Sequence, residues 1–182
     1  MQGIAFSEGW SGQEADITAL FYSAFSASEG AVEGRRVSDL VGQLIGTTPK
    51  DDLRCMCAYE HRDLAGAIFF SRLRYPEETS LVFLLSPVAV ATDYQGRGVG
   101  QALLRYGIGA MREEGIDVLV TYGDPAFYGR VGFEAVSVKD LPAPQVLSHP
   151  LGWIAQRLDG CAMHPHKGPA KAVAAFDDPA LW

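Results

Sequence analysis

The chain has 182 residues, of which 48% are hydrophobic and 20% charged, so its composition excludes global disorder and leaves room for one domain of ordinary size. Fifteen basic residues against 22 acidic ones give a net charge of −7, which disfavours a nucleic-acid partner or an anionic membrane surface. The N-terminal residues lack the features of a secretory signal, no apolar stretch is as long as a membrane span, and the 3 cysteines are too few for a disulfide framework. These observations predict a cytoplasmic protein without a membrane partner.

The first half of the chain alternates between strand and helix patterns. A strand at residues 4–6 precedes two stretches with helical spacing of apolar residues, at 17–25 and 37–45. Two strands, at 54–59 and 64–73, are joined by a polar turn. The nearly all-apolar segment 81–91 is typical of a strand covered on both faces, so we expect it at the centre of a sheet.

The second half continues this alternation and then becomes irregular. Small and apolar residues recur at helical spacing from Val99 to Met111, and Gly115 ends the helix. Further patterns predict a strand at 118–122, a short helix at 125–130, and strands at 133–138 and 152–158. Prolines and glycines after Asp159 predict an irregular tail with one short strand at 171–176. We expect an α/β (α+β) fold, with one domain over 1–158 and a C-terminal extension over 159–182 packed on it.

Alternating glycines lie at the junction between the central strand and the following helix. Gly96, Gly98 and Gly100 leave little side chain over the helix N-terminus, where free N–H groups and the helix dipole favour an anion such as a phosphate. The alternative is that the glycines only form a tight turn.

Pro87 interrupts the central strand just before this junction. Proline cannot donate to a strand ladder, so it indicates a bulge or a break in pairing. Unpaired backbone groups from Val88 to Val90 could then bond an extended amide-bearing ligand such as pantetheine. An edge strand or a simple kink is the alternative.

Two motifs together carry a family resemblance. The run Gln95-Gly-Arg-Gly98-Val-Gly100 resembles the acetyl-CoA signature of the GNAT N-acetyltransferase superfamily, and Phe127-Tyr128-Gly-Arg-Val-Gly132-Phe133 resembles a later element of it. With Gly123-Asp124-Pro125 ahead, the second motif is similar to a branch of predicted acetyltransferases with a Gly-Asp-Pro-x-Phe/Tyr-Tyr element. The resemblance is sharp over residues 84–133 and weak after 135.

The resemblance implies both a fold and a reaction. The fold is a mixed, mostly antiparallel sheet of six to seven strands, with helices on both faces and a V-shaped splay between strands 4 and 5. The reaction transfers the acetyl group of acetyl-CoA, as co-substrate and without a metal, to a primary amine by direct attack on the thioester. The acceptor is a small-molecule or peptide amine that the sequence does not identify, and relatives often form homodimers.

The same resemblance implies roles for particular residues. It implies that the pyrophosphate is bound by the backbone of Gln95, Gly96, Arg97, Gly98, Val99 and Gly100. It also implies that the pantetheine arm is bound by Val88, Ala89 and Val90. Tyr128 takes the position of a general acid that protonates the leaving thiolate, unless it only packs beside Phe127 and Phe133. Asp124 is a further candidate cofactor contact, or else a helix cap.

The remaining assignments are less defined. Segment 81–91 contains no carboxylate, so the general base is unassigned, and Glu29 and Glu33 are candidates for acceptor recognition or else surface charges. Cys55, Cys57 and the tail residues Cys161, His164 and His166 do not form a zinc pattern, and we assign no metal site.

Two other functions remain as alternatives to an acetyltransferase. A non-catalytic acyl-CoA-binding sensor or module would keep the fold, and the absence of a strand carboxylate favours it slightly. A dinucleotide-binding protein fits poorly because Gln101 and Leu103 occupy the positions where its third glycine belongs.

Overall fold

The computed structural model describes residues 3–182. Its strands are β1 Ile4–Glu8, β2 Leu53–Glu60, β3 Asp63–Leu73, β4 Val82–Val90, β5 Val118–Tyr122, β6 Glu134–Ala135 and β7 Trp153–Arg157. Its α-helices are α1 Glu14–Glu29, α2 Ala31–Thr47, α3 Val99–Glu113 and α4 Pro125–Tyr128. Short 3-10 turns include Thr92–Tyr94 ahead of α3 and Gly129–Val131 directly after α4.

The strands form a seven-stranded sheet in the order β1-β2-β3-β4-β5-β7-β6. β4 and β5 run parallel, whereas β1 with β2, β5 with β7 and β6 with β7 are antiparallel. The expected mixed, mostly antiparallel sheet is confirmed, and the upper of the two expected strand numbers is the observed one.

The chain folds as two compact units, one of residues up to Phe70 with Pro87–Ile108, the other of Ser71–Ser86 with Gly109–Trp182. Both β3 and β4 contribute residues to each unit. The division of the chain at residue 158 that the sequence suggests stays a prediction, and residues 1 and 2 of that domain lie outside the described ones.

Helices cover both faces of the sheet in the first unit, as expected. Successive residues of a strand point to opposite faces, and Phe69 and Phe70 of β3 contact different helices. The ring of Phe69 lies 5.8 Å from that of Phe21 on α1, whereas Phe70 lies against Gly107 of α3. A fully buried aromatic pair on β3 therefore anchors one helix on each side.

The second unit begins with the parallel pairing of β4 and β5. Its register joins Val82 to Val118 and ends with Leu84 opposite Val120. One residue further, the Thr121 hydroxyl donates to the Leu85 carbonyl at 2.8 Å, so a side chain takes the place of a ladder bond. The strands therefore stop pairing while β5 continues to Tyr122, in agreement with the expected splay.

Two expected strands are much shorter in the structure than the sequence predicts. The strand predicted at 133–138 is limited to Glu134–Ala135 because Ser137 begins a turn, in which its carbonyl accepts from the Asp140 and Leu141 N–H groups. The strand predicted at 171–176 is reduced to a bridge between Arg74 and Lys171. The chain then forms the 3-10 segment Ala174–Phe176. The centre of the Phe176 ring lies 5.9 Å from that of Trp182.

We predict that Gly107→Ala destabilises the protein by about 1–3 kcal/mol, because it overpacks a buried core. A Cβ at this position would lie 2.8 Å from Cζ of the fully buried Phe70. The matched control is Gly109→Ala in the same helix, where a Cβ meets open space. It should stabilise by about 0.5–1 kcal/mol through helix propensity. Urea unfolding measures both changes, and equal effects of the two variants would contradict the packing argument.

Candidate active site

The glycine turn leading into α3 has the backbone that the sequence motif requires. Gly96 and Gly98 adopt left-handed φ values of 70° and 81°, which residues with a side chain rarely reach. The first internal bond of the helix runs from the Ala102 N–H to the Gly98 carbonyl at 3.1 Å. Because helix geometry gives the N–H groups of its first turn no internal acceptor, this end suits an anion.

The turn is tied to the end of β4. The Gln95 side-chain amide donates to the Val90 carbonyl at 3.0 Å, and the Ala91 N–H donates to the Ala65 carbonyl at 2.9 Å. The Val90 carbonyl is therefore already occupied in this structure. Gln95 thus acts on the turn through its side chain, by holding the glycines against the strand end.

Arg97 makes a salt bridge in this turn. Its guanidinium lies 2.7 Å from a Glu60 carboxylate oxygen and 5.0 Å from the centre of the Tyr94 ring. The side chain is half exposed, so the ion pair is partly screened by water and weak. A phosphate that binds Arg97 would compete with Glu60, a residue that sequence reasoning did not single out.

The end of β4 presents a partly open face. Val88 and Val90 are half-buried and point to the same side, whereas Ala89 between them is 4% exposed. Gly66 on β3 lies close to this segment, since a Cβ there would be 3.0 Å from the Ala89 carbonyl oxygen. The open face is where a ligand could lie along the strand.

Tyr128 is held at the other candidate position by α4 and the end of β5. Asp124 caps α4, accepting from the Ala126 N–H at 2.8 Å, and Gly123 allows the Tyr128 ring to pack directly on the backbone. The rings of Phe127 and Phe133 contact the Tyr128 ring edge to face, with ring centres 5.1 and 5.7 Å from its own. Aromatic packing and helix capping, which the sequence left as alternatives for Tyr128 and Asp124, are both present.

Burial raises the pKa of the Tyr128 phenol above its ordinary value, and a hydrogen bond with Thr121 offsets part of this rise. Thr121 is 1% exposed, and its hydroxyl donates a hydrogen bond to the Leu85 carbonyl. The Tyr128 phenol lies within hydrogen-bond reach of the same Thr121 hydroxyl. Sequence reasoning missed Thr121, because only the fold places β4, β5 and α4 around one hydroxyl.

The candidate acceptor residues Glu29 and Glu33 lie on either side of the junction between α1 and α2. Glu29 is exposed at the end of α1, and Glu33 in the first turn of α2 lies 3.4 Å from Arg36. Neither carboxylate has a buried environment that would mark it as a base.

The cysteine and histidine candidates are engaged in other contacts. The Cys55 and Cys57 sulfurs lie 3.8 Å apart in the interior, and their hydrogen bond together with burial raises the pKa of the Cys55 thiol. His164 Nδ1 lies 2.9 Å from an Arg157 nitrogen. Over residues 3–182 there is no group of three or more potential metal ligands. Within the same range, no helix has the length and apolar character to cross a bilayer.

Comparison with known proteins agrees with this geometry. The sequence model of the Acetyltransferase (GNAT) domain family matches residues 11–136. The Escherichia coli K12 protein YjhQ, named an uncharacterized N-acetyltransferase, is 33% identical over 149 residues, which cover 79% of this chain and 78% of YjhQ.

Solved structures show the same fold. The GNAT N-acetyltransferase YhbS of Escherichia coli, solved in complex with CoA, superposes with a TM-score of 0.80 at 23% identity, covering 95% of this chain and 91% of YhbS. A GNAT acetyltransferase of Brucella melitensis, solved with acetyl-CoA, has a TM-score of 0.72 at 22% identity, covering 97% of this chain and 100% of that protein.

The mixed sheet and the glycine turn define an acetyltransferase of the GNAT type. With the family model matching most of its length, the chain belongs to the GNAT acetyltransferase family, and the expectation from the sequence motifs is confirmed.

We predict that the phenol of Tyr128 stays protonated through neutral pH and titrates above its ordinary value of 10.0, because burial disfavours the phenolate. Ultraviolet titration of phenolate absorbance in the wild type and in Tyr128→Phe gives the Tyr128 midpoint by difference. Since the unfolded state would lose this proton first, the phenol stabilises the fold less as the pH rises beyond about 10. A difference midpoint at or below the ordinary value would contradict the burial argument.

Proposed function

We propose that this chain transfers the acetyl group of acetyl-CoA to a primary amine by direct attack on the thioester. The observation that carries the proposal is the turn with left-handed Gly96 and Gly98 at the start of α3. It offers backbone N–H groups and a helix dipole to a diphosphate, and the family membership makes that diphosphate the one in coenzyme A.

The cofactor contacts follow from this geometry as proposals. The backbone from Gln95 to Gly100 binds the pyrophosphate, with Arg97 leaving Glu60 to reach a phosphate oxygen. The half-open face at Val88 and Val90, with the backbone of Ala89 between them, bonds the pantetheine amides. Asp124 contributes through its cap of α4, which sets the position of Tyr128.

The chemistry needs a stabilised oxyanion and a protonated leaving group. A backbone N–H of β4 that faces the thioester carbonyl stabilises the oxyanion. In other enzymes, removing one such donor costs about 3–4 kcal/mol of transition-state stabilisation. Tyr128 supplies the second, because a phenol that stays protonated at neutral pH can give its proton to a thiolate of ordinary pKa about 8.5.

The partner and the compartment belong to the same proposal. The acceptor is a small-molecule or peptide amine, recognised with help from Glu29 and Glu33, and neither nucleic acid nor a membrane is a partner. Three free cysteines support a reducing compartment, the cytoplasm. A homodimer stays a prediction that light scattering would test.

We predict that acetyl-CoA, but not NAD, raises the thermal stability of the protein. A ligand at about 100 times its dissociation constant stabilises by about 2.7 kcal/mol. Stabilisation by NAD alone would reverse the assignment in favour of a dinucleotide-binding protein.

Glu60→Gln should bind acetyl-CoA up to about fivefold more tightly at low salt, since it releases Arg97 from an exposed ion pair. Glu113→Gln, on the exposed far end of α3, is the control and should change nothing.

We predict that Tyr128→Phe lowers kcat at least about tenfold and leaves acetyl-CoA affinity nearly unchanged, because it removes only a proton donor. Release of free thiol with a panel of amines measures turnover. The matched control is Tyr106→Phe, at a 37% exposed position on α3, which should keep wild-type kcat. Equal kcat in both variants would remove Tyr128 from the acid role. Binding of acetyl-CoA without thiol release for any amine would favour the acyl-CoA sensor.

A further inference from the structure

A single threonine hydroxyl connects the point where β4 and β5 stop pairing with the Tyr128 phenol. Thr121 Oγ1 donates to the Leu85 carbonyl at 2.8 Å, and the same hydroxyl lies within hydrogen-bond reach of the phenol. Thr121 is 1% exposed, so its hydroxyl is shielded from solvent. The sequence motifs give this residue no role.

The end of β5 places the Tyr128 ring on the face that carries Thr121. The Gly123 N–H donates to the Gly152 carbonyl at 3.0 Å, so the residue after β5 continues the line of the strand. Since alternate residues of a strand share a face, position 123 lies on the same face as Thr121. A Cβ at Gly123 would be 2.7 Å from Cε2 of Tyr128, so the glycine leaves the space that the ring occupies.

The backbone around α4 holds the Tyr128 ring at this place. The Tyr128 N–H donates to the Asp124 carbonyl at 3.1 Å, and the Phe133 N–H donates to the Tyr128 carbonyl at 3.3 Å. The rings of Phe127 and Phe133 support it from the sides. Tyr128 is half-buried, so part of the residue stays accessible to a ligand.

The charged residues next to Tyr128 in the chain point to other partners or to solvent. Asp124 and Arg130 are exposed, and the Asp124 carboxylate accepts from the Ala126 N–H. Burial raises the pKa of the phenol because a phenolate is poorly solvated there, whereas Thr121 lowers it. A neighbour lowers the pKa of a phenol by favouring the phenolate, which a hydroxyl does by donating to it.

The Thr121 hydroxyl has one proton and donates it to one acceptor at a time. While Tyr128 is a neutral phenol, that acceptor is the Leu85 carbonyl. Rotation about the Cβ–Oγ1 bond turns the same proton toward Tyr128 once the phenol has lost its own. A hydrogen bond to a charged oxygen is stronger than one to a neutral carbonyl, so the phenolate is then the preferred acceptor.

We propose that Thr121 is a positioning residue for the acid step, and that its hydroxyl leaves the Leu85 carbonyl and donates to Tyr128 when the phenolate forms. This inference rests on the proposed acetyltransferase function, in which Tyr128 protonates the leaving thiolate.

The proton balance of the step needs only these groups, the substrates and solvent. The amine nitrogen forms the bond to the thioester carbon, and the C–S electron pair leaves with sulfur. The Tyr128 O–H bond breaks and an S–H bond forms, while Thr121 keeps its proton and changes only its acceptor. The proton in excess on nitrogen goes to solvent, and solvent returns one proton to Tyr128. Thr121 then donates to Leu85 again.

The first test is a double-mutant cycle between Thr121→Val and Tyr128→Phe. Release of free thiol measures kcat with ethanolamine, putrescine and 2-phenylethylamine as probes. Thr121→Val should lower kcat at least about fivefold and leave the KM for acetyl-CoA unchanged, because only stabilisation of the phenolate is lost. In the Tyr128→Phe background, the same substitution should have little further effect. Additive losses would overturn the inference, because they would mean that Thr121 does not act through Tyr128.

Two further variants separate the hydroxyl from the shape of the side chain. Thr121→Ser keeps the hydroxyl and should keep wild-type kcat, whereas Thr121→Cys has only a weak donor and should resemble Thr121→Val. The cysteine variant also decides the question if Thr121→Val fails to fold. The matched control is Thr47→Val, which removes an exposed hydroxyl that donates to the Gln43 carbonyl at 2.7 Å. This control should behave as the wild type.

Ultraviolet titration of the Tyr128 phenol tests the pairing without turnover. Its midpoint, measured by difference against the matching Tyr128→Phe protein, should move up in Thr121→Val and return in Thr121→Ser, because the donor to the phenolate is lost and restored. An unchanged midpoint in Thr121→Val, or a serine variant as slow as the valine one, would overturn the inference. A wild type that neither binds nor cleaves acetyl-CoA would instead reject the proposed function, and the titration would still decide whether Thr121 supports the Tyr128 phenolate.

Discussion

The point at which β4 and β5 stop pairing is the constraint on which the candidate site depends. Their parallel register ends at Leu84 and Val120, and the Thr121 hydroxyl then satisfies the Leu85 carbonyl. A buried carbonyl left without a donor would cost about 1–3 kcal/mol, so this one side-chain bond makes the early end of the ladder tolerable. Two residues further along β4, Pro87 has no N–H to give. The pairing of β4 with β5 therefore ends at Leu84, and a side chain satisfies the next carbonyl.

The end of β5 uses the alternation of a strand to serve two faces. Thr121 contacts Tyr128 on one side, and the Tyr122 hydroxyl lies 2.9 Å from Ser148 Oγ on the other. Both side chains stand on a strand that is paired with β7 over its whole length, from Val118 to Tyr122. The hydroxyl groups at the end of β5 are thus positioned by a paired strand rather than by loops alone.

The glycine turn at the start of α3 shows how a site can be formed and still be restrained by its own neighbours. Its backbone already has the left-handed residues that an anion site needs, yet Arg97 is paired with Glu60 and the Val90 carbonyl is taken by Gln95. Such exposed contacts are weak, so a multivalent diphosphate can displace them. In a protein with net charge −7, they also keep a cation close to the place where an anionic ligand is proposed to bind.

The sequence by itself determined the order of the elements, the family and the glycine turn, because these depend on local chemistry. Apolar periodicity placed α1, α2 and α3, and the spacing of Gly96, Gly98 and Gly100 in front of Val99 indicated a glycine turn at the start of α3. It did not determine where weakly patterned segments end, since the turn at Ser137 and the packing of Phe176 on Trp182 shortened two expected strands.

Only the tertiary structure decided which side chains meet. Thr121 with Tyr128, Arg97 with Glu60, and Tyr122 with Ser148 are contacts between residues 7 to 37 positions apart in the chain. A hydroxyl or a carboxylate carries no local signal of its distant partner, because that partner is set by strand order and register. The physical reason is that hydrogen bonds and ion pairs depend on distances of a few ångströms, which folding fixes and sequence spacing does not.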